Sequence, residues 1–172
     1  AAETVPAQFD LNGRSALVVG GTKGLGRAMA LALAAAGADV CVASRGPGGL
    51  DETAEAICKL GRRGTSFALD ATEEVQVARL MAHMTDTYGR IDILVNSQGI
   101  VHLEPMAEFD VDAWQRVMDV NLKSVFLCCK HAARVMLAQG KGKIINISSV
   151  RGFQGRAQDA AYAPSKGAVN QL

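Results

Sequence analysis

Near its end the chain carries Tyr162-Ala163-Pro164-Ser165-Lys166, a phenol and an ammonium four residues apart. On a helix, positions i and i+4 share a face, so the two groups would lie side by side. A free phenol, with a pKa of about 10, is a poor proton carrier at neutral pH. A neighbouring cation favours the phenolate and moves it toward the useful range. Thirteen residues before the tyrosine, Ser149 follows the run Ile144-Ile145-Asn146-Ile147-Ser148 and is placed at the end of a strand. The carboxyl ends of parallel strands are where α/β sheets bind ligands. A hydroxyl there can donate to a carbonyl oxygen while the phenol moves the proton. Tyr-x3-Lys alone arises by chance, but a serine at this spacing gives it a partner. The set reads as acid–base chemistry on an alcohol or a ketone.

A second constellation, Gly20-Gly21-Thr22-Lys23-Gly24-Leu25-Gly26, follows an apolar run and opens a helical pattern. Glycines at 20, 24 and 26 let the backbone turn sharply and approach a pyrophosphate with no Cβ in the way. The next helix adds free N–H groups and the positive end of its dipole. A glycine-rich turn by itself is punctuation; between a first strand and a first helix it is a dinucleotide signature. After the second strand, a carboxylate would hold a ribose 2′-hydroxyl, whereas an arginine accommodates a 2′-phosphate. Here Ser44-Arg45 stands, with no acid until Asp51, and Lys23 adds a second cation. The two cations point to NADP(H), with NAD(H) possible, unless both are plain surface charges.

The elements that must position these groups alternate. Apolar, β-branched runs at residues 15–19, 39–44, 65–70, 91–96 and 143–148 are separated by helical patterns at 24–36, 50–60, 73–88 and 112–139. Near-continuous apolar strands fit a sheet covered on both faces. Strand–helix–strand repetition implies parallel pairing through right-handed crossovers. The expected architecture is an α/β, Rossmann-type doubly wound sheet. The 112–139 pattern is about twice the usual helix length, with Trp114, Val117, Met118, Leu122 and Val125 on an apolar stripe. Asn121 sits inside that stripe, either turned to solvent or held deliberately in the core. Pro164 belongs in the first turn of a helix, so the last helix should start, or kink, within a few residues of Tyr162.

A chain of 172 residues fits one domain over residues 1–172. Its 49% apolar and 20% charged content is that of an ordinary globular protein. Net charge is +1 and the only basic cluster is Arg62-Arg63, so neither nucleic acid nor a membrane surface is an expected partner. The longest apolar stretch, residues 28–36, is too short to span a bilayer. Residues 1–6 lack the basic-then-apolar pattern of a leader. Cys41, Cys58, Cys128 and Cys129 have no metal-ligand spacing. They are expected to be small apolar fillers in a reducing cytoplasm, with no metal site.

The Gly-x3-Gly-x-Gly spacing, together with Ser149, Tyr162 and Lys166, resembles the short-chain dehydrogenase/reductase family over residues 11–172. Val19 stands where that family usually has threonine. The resemblance implies that Ser149, Tyr162 and Lys166 are catalytic, and that Tyr162 and Lys166 also meet the nicotinamide ribose. It makes Asn121, in Asp119-Val120-Asn121-Leu122, the fourth member, which disturbs the long helix and holds a water in a relay to the lysine. It assigns cofactor contacts to Gly20, Thr22, Lys23, Gly24, Leu25 and Gly26, to Ser44 and Arg45, to Asp70 and Ala71 near the adenine, and to Asn96 and Gly99. One departure concerns the cofactor side: the family's Asn-Asn-Ala-Gly reads Asn96-Ser97-Gln98-Gly99 here, so a long amide replaces a small residue.

The implied reaction is reversible hydride transfer between the nicotinamide and the carbonyl carbon of a small-molecule substrate. The strings Asn121-Leu122-Lys123-Ser124 and Gly152-Phe153-Gln154-Gly155 look similar to those of bacterial sugar-acid dehydrogenases. Reduction of a 3-oxoacyl thioester, and a non-catalytic dinucleotide-binding module, are the alternatives. His102, Arg151 and Gln154 are candidates for the substrate rim, each equally readable as a loop residue. The resemblance further implies a homo-oligomer, dimer or tetramer, and a strand order of 3-2-1-4-5 with the later strands absent. The chain is accordingly expected to be incomplete on its C-terminal side, with the 144–147 strand an exposed edge.

Overall fold

Five apolar runs form one parallel sheet: β1 (Ser15–Val19), β2 (Asp39–Ser44), β3 (Gly64–Ala68), β4 (Ile93–Asn96) and β5 (Lys143–Asn146), in the order β3-β2-β1-β4-β5. The computed structural model describes residues 7–46 and 48–172, so residues 1–6, read above for a leader, lie outside the described residues. Among the described residues six α-helices connect and cover the strands: α1 (Gly24–Ala35), α2 (Leu50–Lys59), α3 (Glu74–Tyr88), α4 (Val111–Met118), α5 (Ser124–Gln139) and α6 (Tyr162–Gln171). β1 is buried along its whole length. Its Leu17 packs with Cys41, Leu80, Met84, Leu94 and Cys128 on one face. Val18 packs with Ala30, Val40, Val42, Ile57 and Val95 on the other. Both alternating sides of the strand therefore need apolar residues, which is why the run is continuous. The register pairs Val19 with Ala43 and Asn96, and Asn96 with Asn146, so the carboxyl ends of four strands finish level.

Several boundaries differ from the sequence expectation. β3 runs Gly64–Ala68, which leaves Asp70 beyond the strand. β4 starts at Ile93, with Asp92 just before it already tied to both neighbours, its N–H donating to Ser15 O (3.0 Å) and its carbonyl accepting from Lys143 N (2.9 Å); its carboxylate accepts from Ser15 N (3.0 Å), Arg90 Nε (2.6 Å) and Arg14 (3.2 Å). β5 stops at Asn146, since its neighbour β4 ends at Asn96; the last bond between them is Ile147 N to Asn96 O, 2.9 Å. Ser149 therefore does not end the strand. The long helix is broken: α4 and α5 are joined by a π-turn, Asp119–Lys123, with Asn121 fully buried inside it. Inserting a residue into a helix in this way re-aims the side chains at the insertion. Cys41 and Cys128 are core fillers, and burial pushes their thiols up to about 11 and about 12. Cys58 is exposed, so the filler expectation fails there. β5 forms the exposed edge, with Ile144 and Ile145 38% and 45% accessible.

The Asp92 cluster gives a stability prediction. Burial works to raise this carboxyl, but the bonds from Arg90, Ser15 and Arg14 outweigh it and hold it below the ordinary range. A lowered carboxyl contributes stability above its unfolded value of about 3.9, and the contribution disappears as pH falls through the folded value. Asp92→Ala should lose about 2 kcal/mol at pH 7 by urea unfolding, discounted because both arginines are partly exposed. The deficit should vanish in strong acid.

Candidate active site

A cleft of about 820 Å³ runs along the carboxyl ends of the strands. Its floor starts at Gly20, whose φ of +81° and bond to Ala43 O (2.7 Å) swing the chain off β1. A Cβ at Gly20 would lie 2.8 Å from Gln98 N, and one at Gly26 would overlap the Gly20 carbonyl oxygen. The turn is therefore closed onto the β4 loop and onto itself by contacts that only glycine allows. Lys23, at the N-cap of α1, makes no side-chain cap bond, so the first N–H groups of the helix face the cleft without one.

Thr22, Lys23 and Leu25 line the cleft beside Gly20 and Gly26; so do Ser44 at the end of β2 and Arg45 beyond it, Asp70 and Ala71 after β3, and Gly99 after β4. The far wall is α6, with Tyr162 and Lys166. Burial raises the carboxyl of Asp70, but Thr72 (N 2.9 Å, Oγ1 2.8 Å) and the charges of Arg45 and Lys123 outweigh it and keep the group below the usual carboxylate range. Asp51, the first acid after β2, accepts from Ser66 Oγ at 2.7 Å on β3.

α6 begins at Tyr162, with Pro164 in its first turn, where a missing N–H costs nothing. Asp159 reinforces the start by accepting from Ala163 N at 2.9 Å. Lys166 is 4% exposed, and its Nζ donates to Ile147 O (2.8 Å) and lies 5.9 Å from the centre of the Tyr162 ring. Burial disfavours its ammonium and lowers it from the ordinary lysine range. The phenol and the amine thus share a face, as the spacing predicts.

Four expected site residues stand apart from the cleft wall. Gly24 opens α1 with a φ of +51°, and a Cβ added there would meet nothing within 4 Å. Asn96 is buried beneath the site, donating to Asn146 Oδ1 (2.8 Å) and Cys129 Sγ (3.4 Å). Asn121 lies behind the wall: Oδ1 accepts from Ile100 N (2.8 Å), while Nδ2 donates to Ile100 O (2.9 Å) and Ser165 Oγ (3.0 Å). The amide is thus a clamp between the β4 loop and α6, with both donors spent on protein partners. Ser149 is half-buried at the head of a short turn, Val150–Gly152, where its hydroxyl accepts from Arg151 N at 3.2 Å. Of the rim candidates, His102 pairs with Glu104 (3.1 Å) and meets the Phe109 ring edge-on. Arg151 is half-buried and Gln154 exposed. None of the three lines the cleft.

The cleft also includes residues that sequence reasoning did not assign, among them Ser97, Ser124, Ile147 and Ser148. Ser148 Oγ donates to Lys166 O (3.1 Å), and Asn170 Nδ2 donates to Gly152 O (3.3 Å), which ties α6 to the segment that follows β5. A composition signal for these hydroxyls is lacking; only the position of Ser148 beside Ser149 hinted at one.

A family profile described as short chain dehydrogenase matches residues 14–172. A 2-dehydro-3-deoxy-D-gluconate 5-dehydrogenase from Bacillus subtilis is 43% identical over 164 residues, covering 95% of this chain and 64% of the relative. The chain thus spans less than two thirds of that relative's length. Among solved structures, a short-chain type dehydrogenase/reductase from Mycobacterium marinum superposes with a TM-score of 0.91 at 38% identity, covering 95% of this chain and 68% of the other. An NAD+-bound xylitol dehydrogenase superposes at 0.92 with 30% identity, covering 94% and 63%.

Proposed function

The chain belongs to the short chain dehydrogenase family, and from that premise we propose that it carries the cofactor-binding and proton-transfer groups of an NADP(H)-dependent oxidoreductase acting on a sugar acid. One observation carries this: a glycine turn that admits no Cβ, two cations, and a Tyr–Lys pair border a single cleft. A nicotinamide dinucleotide fits such a wall. Gly20, Gly26 and the open N-terminus of α1 would hold its pyrophosphate, Asp70 and Ala71 its adenine side, and Lys166 its second ribose. When bound it supplies a hydride donor or acceptor. Tyr162 gives a proton to the substrate oxygen or takes one from it, Ser149 polarises that oxygen, and Lys166 supports the phenol with its charge. The name of the Bacillus relative supports a sugar acid as substrate.

Arg45 and Lys23 at the cleft, with Asp51 committed to Ser66, support NADP(H) over NAD(H). A charge-assisted contact to a 2′-phosphate is worth about 1.5–3 kcal/mol. Both cations are exposed, so screening brings the expected preference to about tenfold. Replacing Ser44→Asp together with Arg45→Leu should reverse it. Fluorescence titration with both cofactors measures this, and equal affinities in the starting protein would refute it.

A homo-oligomer and a cytoplasmic location belong to the same proposal. Phe126 and Leu137, 47% and 80% exposed on α5, are apolar surface a second copy would cover. Four free cysteines suit a reducing compartment. The deciding assay screens sugar acids against 3-oxoacyl thioesters with both cofactors. Turnover of the thioesters alone, or cofactor binding with no turnover of any ketone, would overturn the sugar-acid reading.

A further inference from the structure

Gln98 occupies a place beside the cleft where a small residue would leave room, and its amide is directed to one partner: Nε2 donates to Ser124 Oγ at 3.0 Å. Ser124 is the first residue of α5, and it is 1% exposed. Its backbone N–H reaches back five residues to Asp119 O, in the π pattern. The Val120 carbonyl is therefore not taken by that N–H, and the Ser124 hydroxyl takes it at 2.6 Å. The next residue is Asn121, which grips Ile100 and donates to Ser165 Oγ. Ser165 Oγ in turn donates to Tyr162 O at 2.7 Å.

We propose that Gln98 is a positioning residue: with Ser124 it pins the π-turn so that Asn121 holds the head of the Tyr162 helix against the cleft. A hydroxyl has one hydrogen to give, and an incoming N–H on its lone pair directs that hydrogen elsewhere. Gln98 thus turns Ser124 toward Val120. The cost to Gln98 supports this assignment. Its Oε1 is buried and has no donor among the described residues. A buried amide oxygen without a donor is unfavourable, and an apolar side chain of the same size would fill the space without that penalty. Volume alone does not account for glutamine here; the bond to Ser124 does.

Amide hydrogen exchange on this chain tests the proposal. Gln98→Met keeps the volume and removes the donor, and Ser124→Ala removes the hydroxyl. Each should speed exchange in residues 119–124 and 162–166 about five- to tenfold, the loss expected for one hydrogen bond. Because Gln98 acts through Ser124, the double variant should exchange no faster than Ser124→Ala alone. Amides of β1 and β2 should be unchanged. Exchange like the starting protein in Gln98→Met would show that the residue only fills space. Acceleration spread evenly over the chain, or effects that add in the double variant, would equally overturn the inference. The consequence for catalysis rests on the proposed role of Tyr162, but the exchange readout does not. A chain that turns over no ketone would count against that role and leave this measurement to decide the positioning alone.

Discussion

Tyr162→Phe should lower kcat about a thousandfold, in the middle of the range that a positioned acid–base group contributes, while changing dinucleotide affinity less than about threefold. The substitution removes one oxygen and keeps the ring that stands 5.9 Å from the Lys166 ammonium. The bonds that place the helix do not involve the phenol: Ala163 N to Asp159, Ser165 Oγ to Tyr162 O, and Lys166 Nζ to Ile147 O all survive. Lys166→Ala should damage turnover and binding together, since the amine also borders the place of the cofactor. Steady-state kinetics with parallel fluorescence titration separates the two. A Phe variant keeping a tenth of the activity would remove Tyr162 from the acid–base role.

The lysine adds a pH signature with two opposite signs. Burial lowers Lys166 from its ordinary 10.5, so on raising pH its charge is lost earlier than in a free lysine. Activity that depends on the ammonium should therefore fall on the alkaline side, below pH 10.5. Stability moves the other way. Between the folded and unfolded values the unfolded chain binds the proton more tightly, so folding gains stability as pH rises through that window. A tyrosine-only limb would show the first change without the second.

Most of the sheet was legible because burial on both faces forces a run of apolar residues, and glycines mark where the chain leaves it. Strand ends were not. Where β5 stops is decided by Asn96, the end of its neighbour, which is not a local property. The Tyr162–Lys166 pair was legible since one helix turn contains both residues. Asn121 was only half so. Its stripe position is local, but the π-turn depends on Ile100 and Ser165, 21 and 44 residues away. For Asn96, the motif gave no sign that the residue would lie under the wall, bound to Asn146 and Cys129. Gln98 could be flagged as a departure from the family's pattern, yet its partner lies on another helix, and no spacing rule joins positions 98 and 124.

The glycine turn offers the second large effect. Gly26→Ala should weaken dinucleotide binding about a hundredfold, although alanine is the smallest possible change. Gly26 is buried in the first turn of α1, and an added methyl would overlap the carbonyl oxygen of Gly20. That oxygen cannot retreat cheaply, because Gly20 N is tied to Ala43 O at 2.7 Å and its Cα faces the Gln98 backbone. The turn must open instead, which carries the helix N–H groups away from where a pyrophosphate would sit. Losing two charge-assisted hydrogen bonds, each worth about 1.5 kcal/mol at the low end, gives a factor of about a hundred. Gly24 supplies the control. It has a left-handed φ of +51°, but a Cβ added there would meet nothing within 4 Å, so Gly24→Asn, a residue that tolerates this region, should cost only a few-fold in affinity. Titration of both variants, with urea unfolding to show that each still folds, distinguishes a steric cradle from mere flexibility. Equal effects at 24 and 26 would mean that backbone freedom, and not close packing of the turn, is what the cofactor site requires.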